Sequence, residues 1–225
     1  MSRNFVITIA RGFGSGGKDI GTRLADKLGI KLIDRNLLSM ASIKSGISEE
    51  LFDMADEKVR KRFFDFRDDK QYDYELIPPE CDDFLSDKNL FNWEARVLLE
   101  LSLVDSYVVI GRAADFVLRH TRNCLSVNIQ AELEDCVVQT VNRTYVSEKD
   151  AVRIVKETDK YRADFYKTYT GREWRDSLNY DLCLNTSRLT REKCINIIIS
   201  TAQEKFRFDL QSAADRTGGT IQCQK

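Results

Sequence analysis

The sequence predicts an α/β fold built on a parallel sheet, and three observations support this prediction. Residues 5–10 form an apolar, β-branched run directly before a glycine-rich segment, as expected for a strand buried on both faces. From Ile20 to Leu28 apolar residues then recur at helical spacing, and Gly29 supplies a stop. Strand and helix patterns alternate along the rest of the chain. Such alternation predicts parallel strands joined by right-handed crossovers.

The remaining elements follow from the same patterns, and 225 residues suit a single domain over 1–225. Thr190 is the expected N-cap of the last helix because its hydroxyl can accept a hydrogen bond from a free backbone N–H. A helical pattern follows Arg35 through Met40. The other predicted strands cover 31–33, 107–110, 125–129 and 181–184, and the other predicted helices cover 90–104, 133–141, 147–166 and 190–206.

Two segments depart from this regular alternation. Residues 73–87 carry six acidic and no basic side chains together with both prolines, which predicts a loop or insertion within 45–90. Residues 158–175 mix cations, acids and aromatics. This mixture is typical of a mobile lid over a polyphosphate, with Arg162 as the foremost candidate to approach the transferred group. The alternative for the second segment is a solvated helix face.

Composition argues against several classes of function. The 35 basic and 36 acidic residues give a net charge of −1, so we expect no nucleic-acid partner, and the apolar runs are too short to span a membrane. One histidine, His120, argues against a histidine metal site or a Ser-His-Asp triad. Six cysteines without C-x-x-C spacing and an N-terminus unlike a signal peptide predict a reducing, cytoplasmic location. The cysteines expected to be buried are Cys124, Cys183 and Cys194.

The segment 12–19 satisfies G-x-x-x-x-G-K, the pattern of a phosphate-binding loop. Glycines let successive backbone N–H groups surround an anion, and Lys18 adds a full charge. The same segment also satisfies G-x-G-x-x-G, and Asp34 lies where a dinucleotide fold has its ribose-binding acid. Lys18, Arg35 and the late cations favour the phosphate loop, but the loop alone leaves both interpretations open. The predicted donor-binding residues are Gly12, Gly14, Ser15, Gly16, Gly17, Lys18 and Asp19.

Asp19 stands where such a loop normally has the Ser or Thr whose hydroxyl binds Mg²⁺. A carboxylate can itself coordinate Mg²⁺, which predicts Asp19 as a metal ligand. The alternative is an acid in the first helical turn that the helix dipole favours.

Two arginines follow predicted strands at the edge where open α/β sheets bind ligands. Arg35 follows Asp34 after the second strand, and Arg112 follows Gly111 after the third. A guanidinium there can hold a monophosphate through two hydrogen bonds. Further along, Asp115 and Arg119 are spaced to pair as i, i+4 neighbours.

Five motifs in order resemble the bacterial cytidylate kinase-like family, a branch of the P-loop nucleoside monophosphate kinases. The resemblance implies a three-layer α/β/α P-loop NTPase fold with a five-stranded parallel sheet, an acceptor-binding helical insertion at 45–90 and a lid-like helical segment at 143–175. The motifs that carry it are Ile7–Lys18, Ile33–Arg35, Val109–Arg112, Thr158–Arg162 and Asn179–Asn185.

The resemblance also implies ATP- and Mg²⁺-dependent phosphoryl transfer to a small phosphorylated acceptor, with CMP or dCMP as the leading candidate. Lys18 and Arg162 then fall on catalytic positions. The implied substrate-binding residues are Asp34, Arg35, Arg112 and Asp159. A homo-oligomer is possible, and the sequence does not decide the oligomeric state.

Two alternatives to a kinase remain at this point. Cytidylate kinases have an aspartate directly after the arginine of the Gly-Arg motif, whereas this chain has Ala113. Together with Asp19, this departure motivates a regulatory protein that binds a nucleotide without transferring phosphate. The dinucleotide pattern of the glycine loop motivates an NAD-dependent oxidoreductase.

Overall fold

The computed structural model describes residues 4–61 and 75–206, and five parallel strands form its centre. The strands lie in the order β2-β3-β1-β4-β5. This order confirms the parallel α/β prediction and separates β1 from β2, whereas the dinucleotide-binding fold pairs these two strands directly. Because β1 is central, the loop that follows it lies in the middle of the carboxyl edge. The bounds are β1 Val6–Arg11, β2 Lys31–Ile33, β3 Tyr107–Ile110, β4 Cys124–Gln130 and β5 Leu182–Asn185.

Helices cover both faces of the sheet and give the predicted three-layer arrangement. Alternate strand residues point to opposite faces: Ile7 and Ile9 pack with α1 and α8, whereas Val6 packs with the layer that contains α2, α4, α5 and α7. The helices are α1 Gly17–Leu28, α2 Asn36–Ser45, α3 Glu49–Lys61, α4 Asp87–Val104, α5 Ala114–Val117, α6 Leu133–Thr144, α7 Glu148–Thr170 and α8 Arg191–Phe206, with short 3₁₀ helices at Asp82–Leu85 and Ser177–Asn179.

Local capping explains where the element boundaries differ from the sequence predictions. Helix α4 begins at Asp87 rather than at residue 90, because the Ser86 hydroxyl accepts a hydrogen bond from the Asn89 N–H at 3.3 Å. The Thr190 hydroxyl accepts one from the Lys193 N–H at 3.3 Å, which confirms the predicted N-cap. The expectation that Cys183 is buried was wrong, because this residue lies exposed on the edge strand β5.

The described part of 45–90 is helical at both ends. Helix α3 and the 3₁₀ helix at Asp82–Leu85 belong to it, and residues 62–74 lie outside the described residues. Two buried side chains of α4 anchor the returning chain: Asn92 donates to the Glu75 carbonyl at 2.6 Å, and Asn89 accepts from the Ile77 N–H at 2.8 Å. Across residues 4–61 and 75–206, no helix has the length and apolarity needed to cross a membrane.

Candidate active site

The glycine-rich loop joins β1 to α1 at the middle of the carboxyl edge. Gly14 and Gly16 have φ values of 81° and 80°, in the left-handed region that favours glycine. A Cβ atom on Gly14 would lie 2.5 Å from the carbonyl oxygen of Cys136. Within the loop, the Ser15 hydroxyl donates to the Gly12 carbonyl at 2.8 Å. The loop path therefore depends on its glycines. The N–H groups of Gly12, Phe13 and Ser15 already donate to protein acceptors. An anion would therefore bind to the later N–H groups of the loop and to those at the start of α1.

Lys18 and Asp34, both predicted as site residues, are in direct contact. The Lys18 Nζ lies 2.6 Å from Asp34 Oδ2, and 56% of the lysine side chain is exposed. The contact joins the start of α1 to the residue after β2. An ion pair this exposed contributes about 1 kcal/mol or less, so an incoming phosphate can compete for the ammonium group.

Asp19 lies in the first turn of α1 and faces two arginines. Its Oδ2 is 3.4 Å from Arg191 and 3.9 Å from Arg23. Arg191 begins α8 and lies over the loop, where a Cβ atom on Gly16 would come within 2.7 Å of its Nε. Arg191 was not among the predicted site residues, because only the fold brings the start of α8 to the loop.

Two cavities border the loop. The first, of about 600 Å³, is lined by the predicted residues Asp34, Arg35, Arg112 and Arg162, by acids of α3 and by aromatic side chains. The second, of about 590 Å³, lies between the loop, α6 and the segment that leads into α8. Its lining includes Gly14, Ser15, Gln139, Thr186, Thr190 and Arg191.

Three consecutive residues after β3 adopt left-handed backbone conformations. Gly111, Arg112 and Ala113 have φ values of 74°, 59° and 49°. For a residue with a Cβ atom this conformation costs about 1–2 kcal/mol. The turn positions the Arg112 guanidinium 5.7 Å above the Phe165 ring, with Nε 3.6 Å from Glu94. Backbone strain of this kind clusters at functional sites.

Asp159 and Arg162 of α7 hold the glycine loop. Asp159 Oδ1 accepts a hydrogen bond from the Phe13 N–H at 2.7 Å, and Arg162 donates to the Arg11 carbonyl at 3.0 Å. Burial lowers the pKa of Arg162, while the adjacent Asp159 raises it. Phe165, on the next turn of α7, is buried in the main core. The lid role of 143–175 stays a prediction.

Asp115 was expected to pair with Arg119, and this expectation was wrong. Its Oδ2 accepts a 2.6 Å hydrogen bond from the buried Tyr166 hydroxyl, whereas Arg119 donates to the Phe116 carbonyl. Burial raises the pKa of Asp115 to about 6. The four-residue helix α5 turns Asp115 inward to the wall of the first cavity.

Arg11, the last residue of β1, also lines the first cavity, although it was not among the predicted site residues. Burial lowers the pKa of its guanidinium, and the positive charges of Arg162 and Arg112 lower it further, while Asp34 and Asp159 oppose this shift. A cation that ends an otherwise apolar central strand was the available signal.

The chain is similar to one family model and to several solved structures. The family model described as the cytidylate kinase-like family matches residues 6–188. A crystal structure of an uncharacterized protein from Eubacterium ventriosum has a TM-score of 0.64 at 21% identity, covering 89% of this chain and 99% of that one. Shikimate kinase from Acinetobacter baumannii in complex with shikimate has a TM-score of 0.45 at 14% identity, covering 90% and 95% of the two chains. No curated protein matches the sequence.

The family match covers most of the chain and includes the glycine loop, both arginine turns and the Asp159–Arg162 segment. Together with the strand order, it supports a phosphotransfer kinase of the P-loop type and excludes the dinucleotide-binding interpretation of the loop. The chain belongs to the cytidylate kinase-like family.

Proposed function

We propose that this protein transfers the γ-phosphoryl group of ATP to the phosphate of a nucleoside monophosphate, with CMP and dCMP as the first candidates. One observation carries the proposal: the glycine loop with Lys18 and a cavity lined by three predicted arginines meet at the same edge of the sheet, joined by the Lys18–Asp34 contact. A phosphate donor and a phosphate acceptor need this adjacency for direct transfer.

The donor side is the glycine loop and the cavity beside it. The loop N–H groups and the N-terminus of α1 suit the β- and γ-phosphates, and Lys18 adds a charge that the donor can take over from Asp34. The neighbouring cavity of about 590 Å³ has room for the nucleoside of ATP.

The acceptor side is the cavity of about 600 Å³, whose size suits a mononucleotide. Arg35 and Arg112 suit its phosphate, since guanidinium groups bind phosphate oxygens through paired hydrogen bonds. Glu49 and Asp53 of α3 and the aromatic rings of α7 line the rest, and they suit a polar base that stacks on a ring. These two acids of α3 support an acceptor-binding role for 45–90.

Transfer between phosphates needs no protein nucleophile. The second phosphate pKa is about 6, so the acceptor oxygen is largely deprotonated at neutral pH. In-line attack then depends on positioning and on cations that stabilise the charge of the transferred group. Lys18 and Arg162 are our candidates for that role.

The residues beside the loop fit Mg²⁺, which as a cofactor would neutralise donor phosphate charge. Mg²⁺ usually takes one or two carboxylates and completes its shell with phosphates and water. Asp19, the residue after Lys18, supplies such a carboxylate. Asp34, which contacts Lys18 from the side of the first cavity, is the alternative ligand. Over residues 4–61 and 75–206 no cluster of three metal-binding side chains occurs, so a metal here would depend on the nucleotide.

A coupled assay of ADP formation tests the proposal. We expect ATP and Mg²⁺ to give turnover with at least one of CMP, dCMP, UMP, AMP and GMP, and none with the corresponding nucleosides. ADP formation with none of the five monophosphates would contradict it.

The second candidate is a nucleotide-binding regulatory protein without transfer activity. It is favoured by the ion pairs that occupy Lys18 and Asp19, together with the missing Mg²⁺-binding hydroxyl. Tight ATP binding in calorimetry combined with no transfer to any acceptor would select it.

A further inference from the structure

Arg11 occupies a position that folding alone does not favour. It ends the central strand, and its side chain passes between two glycines: a Cβ atom on Gly17 would collide with the arginine stem, and one on Gly111 would collide with its guanidinium. The lack of side chains at both positions gives Arg11 a channel into the first cavity.

Among residues 4–61 and 75–206, the Arg11 guanidinium makes neither a side-chain hydrogen bond nor an ion pair. The positive charges of Arg162 and Arg112 repel the Arg11 guanidinium and lower its pKa. The carboxylates of Asp34 and Asp159 offset this repulsion only in part. Arg11 is partly buried, and even partial removal of a guanidinium from water is costly when it has no partner. An anionic ligand would offset that cost.

The neighbours of Arg11 indicate which ligand this is. Arg112 and Arg162 line the same cavity from two other elements, the turn after β3 and helix α7. Three guanidinium groups that converge from separate elements match the several oxygens of a phosphate dianion. Arg11 borders the cavity that we assign to the acceptor, whereas the second cavity begins at Gly14, beyond the first turn of the loop.

We infer that Arg11 is a substrate-binding residue that takes the phosphate of the acceptor, so that the site selects phosphomonoesters over uncharged acceptors. This inference rests on the proposed function for the division into donor and acceptor sides. It assigns a ligand to the arginine that ends β1, directly before the glycine loop.

Phosphate binding to protein loaded with AMP-PNP tests the inference. The analogue fills the β- and γ-phosphate positions, so inorganic phosphate measured by calorimetry then reports the acceptor cavity. We expect Arg11→Met to weaken phosphate binding about tenfold or more, since hydrogen bonds to charged groups contribute about that much. The affinity for AMP-PNP should stay within about twofold of the unmodified protein.

Arg96→Met is the matched control. Arg96 is an exposed arginine of α4, paired with Glu100, and it lines neither cavity. This variant loses the same charge, so its phosphate affinity should equal that of the unmodified protein. An equal loss in both variants would reduce the effect to general electrostatics and overturn the inference.

Thermal unfolding gives a second readout that separates binding from a structural role. Without ligand, Arg11→Met should be at least as stable as the unmodified protein, because the variant removes an unpartnered guanidinium. Phosphate should raise the Tm of the unmodified protein more than that of the variant. If Arg11→Met does not fold, Arg11→Lys takes its place in the test. Because lysine lacks the guanidinium fork, the phosphate affinity of this variant should be several-fold lower than that of the unmodified protein.

Three further results would overturn the inference. The first is an unchanged phosphate affinity in folded Arg11→Met or in Arg11→Lys. The second is a variant that loses affinity for AMP-PNP but still binds phosphate. The third is the absence of phosphate binding by the unmodified protein loaded with AMP-PNP. The second result would assign Arg11 to the donor's γ-phosphate instead. Failure of the proposed function is distinguishable, since a protein without transfer activity can still bind phosphate through Arg11.

Discussion

At the scale of single residues, Lys18 combines exposure with a fixed position. Its ammonium group contacts Asp34 at 2.6 Å while more than half of the side chain remains exposed. Folding therefore gains little from the lysine, and a bound phosphate would gain much because its charge is larger than that of one carboxylate. Lys18 can consequently be tested without disturbing the fold.

Replacing Lys18 with alanine should reduce phosphoryl transfer by about 10²- to 10³-fold, as the loss of a preorganised charge does in other enzymes. The free energy of unfolding should change by less than about 1 kcal/mol. Lys31→Ala is the control, because Lys31 also forms an exposed 2.6 Å pair, with Asp105. Full turnover by Lys18→Ala in the coupled assay would contradict the mechanism.

Asp115 differs from Lys18 because it is buried. Its pKa is raised to about 6, above the ordinary value of 3.8 that applies in the unfolded chain. The folded state therefore holds the proton more tightly. The stability associated with this group is fully present below about pH 4 and is lost as the pH rises through about 6.

The variant Asp115→Asn tests this pH dependence. Asparagine does not titrate, and its amide oxygen can still accept the Tyr166 hydrogen bond. The stability of the variant relative to the unmodified protein should therefore rise by about 2 kcal/mol between pH 4.5 and 7.5. Urea unfolding at both pH values measures it, and a difference that is independent of pH would refute the assignment.

At the scale of elements, the glycine loop depends on the helix packed against it. Gly14 has a positive φ and no room for a side chain beside the backbone of Cys136 in α6. Gly29, at the end of α1, also has a positive φ, of 61°. Apart from the adjacent chain, no atom of the described residues lies within 4 Å of the place that a Cβ atom would take. The two glycines therefore separate the cost of the backbone conformation from the cost of crowding.

Gly29→Ala should cost about 1 kcal/mol of unfolding free energy, which is the strain of a left-handed alanine. Gly14→Ala should cost about 2 kcal/mol more, since the loop or α6 has to move, and it should weaken ATP binding at least tenfold. Urea unfolding and calorimetry measure the two effects. Equal stability losses with ATP binding retained would show that the loop tolerates a side chain.

At the scale of the whole molecule, helix α7 belongs to two different hydrophobic clusters. The start of α7 packs on α6 in a small cluster of its own, formed by Cys136, Val137, Ala151 and Val155. The end of α7 belongs to the main core through Phe165, Tyr166 and Tyr169. A lid movement within 143–175 should therefore involve the α6–α7 hairpin and leave the end of α7 in place.

Hydrogen–deuterium exchange with and without AMP-PNP tests this division. Peptides from the end of α6 and the start of α7, over 137–155, should become more protected when the analogue binds. Peptides over 163–170 should exchange slowly in both states. Equal changes in both groups of peptides would mean that α7 responds as one rigid rod, against this expectation.

The sequence by itself determined the parallel sheet, the glycine loop and the arginines that follow β2 and β3. Each depends on local patterns: apolar runs for buried strands, glycines for unusual backbone conformations, and charged residues directly after strands. The strands at 31–33 and 107–110 were predicted with the bounds that the structure gives. The family resemblance added the three-layer arrangement, which the structure and the family match confirm.

Tertiary structure decided which of these residues meet and what each one faces. Asp115 looked like a surface partner of Arg119 because spacing on a helix cannot indicate that α5 has only four residues. Arg11 was not predicted as a site residue, since its channel is made by Gly17 and Gly111, residues far apart in the chain. Local patterns fix backbone conformation, but burial and electrostatic environment depend on contacts between distant segments, and these contacts assign the side chains of a site.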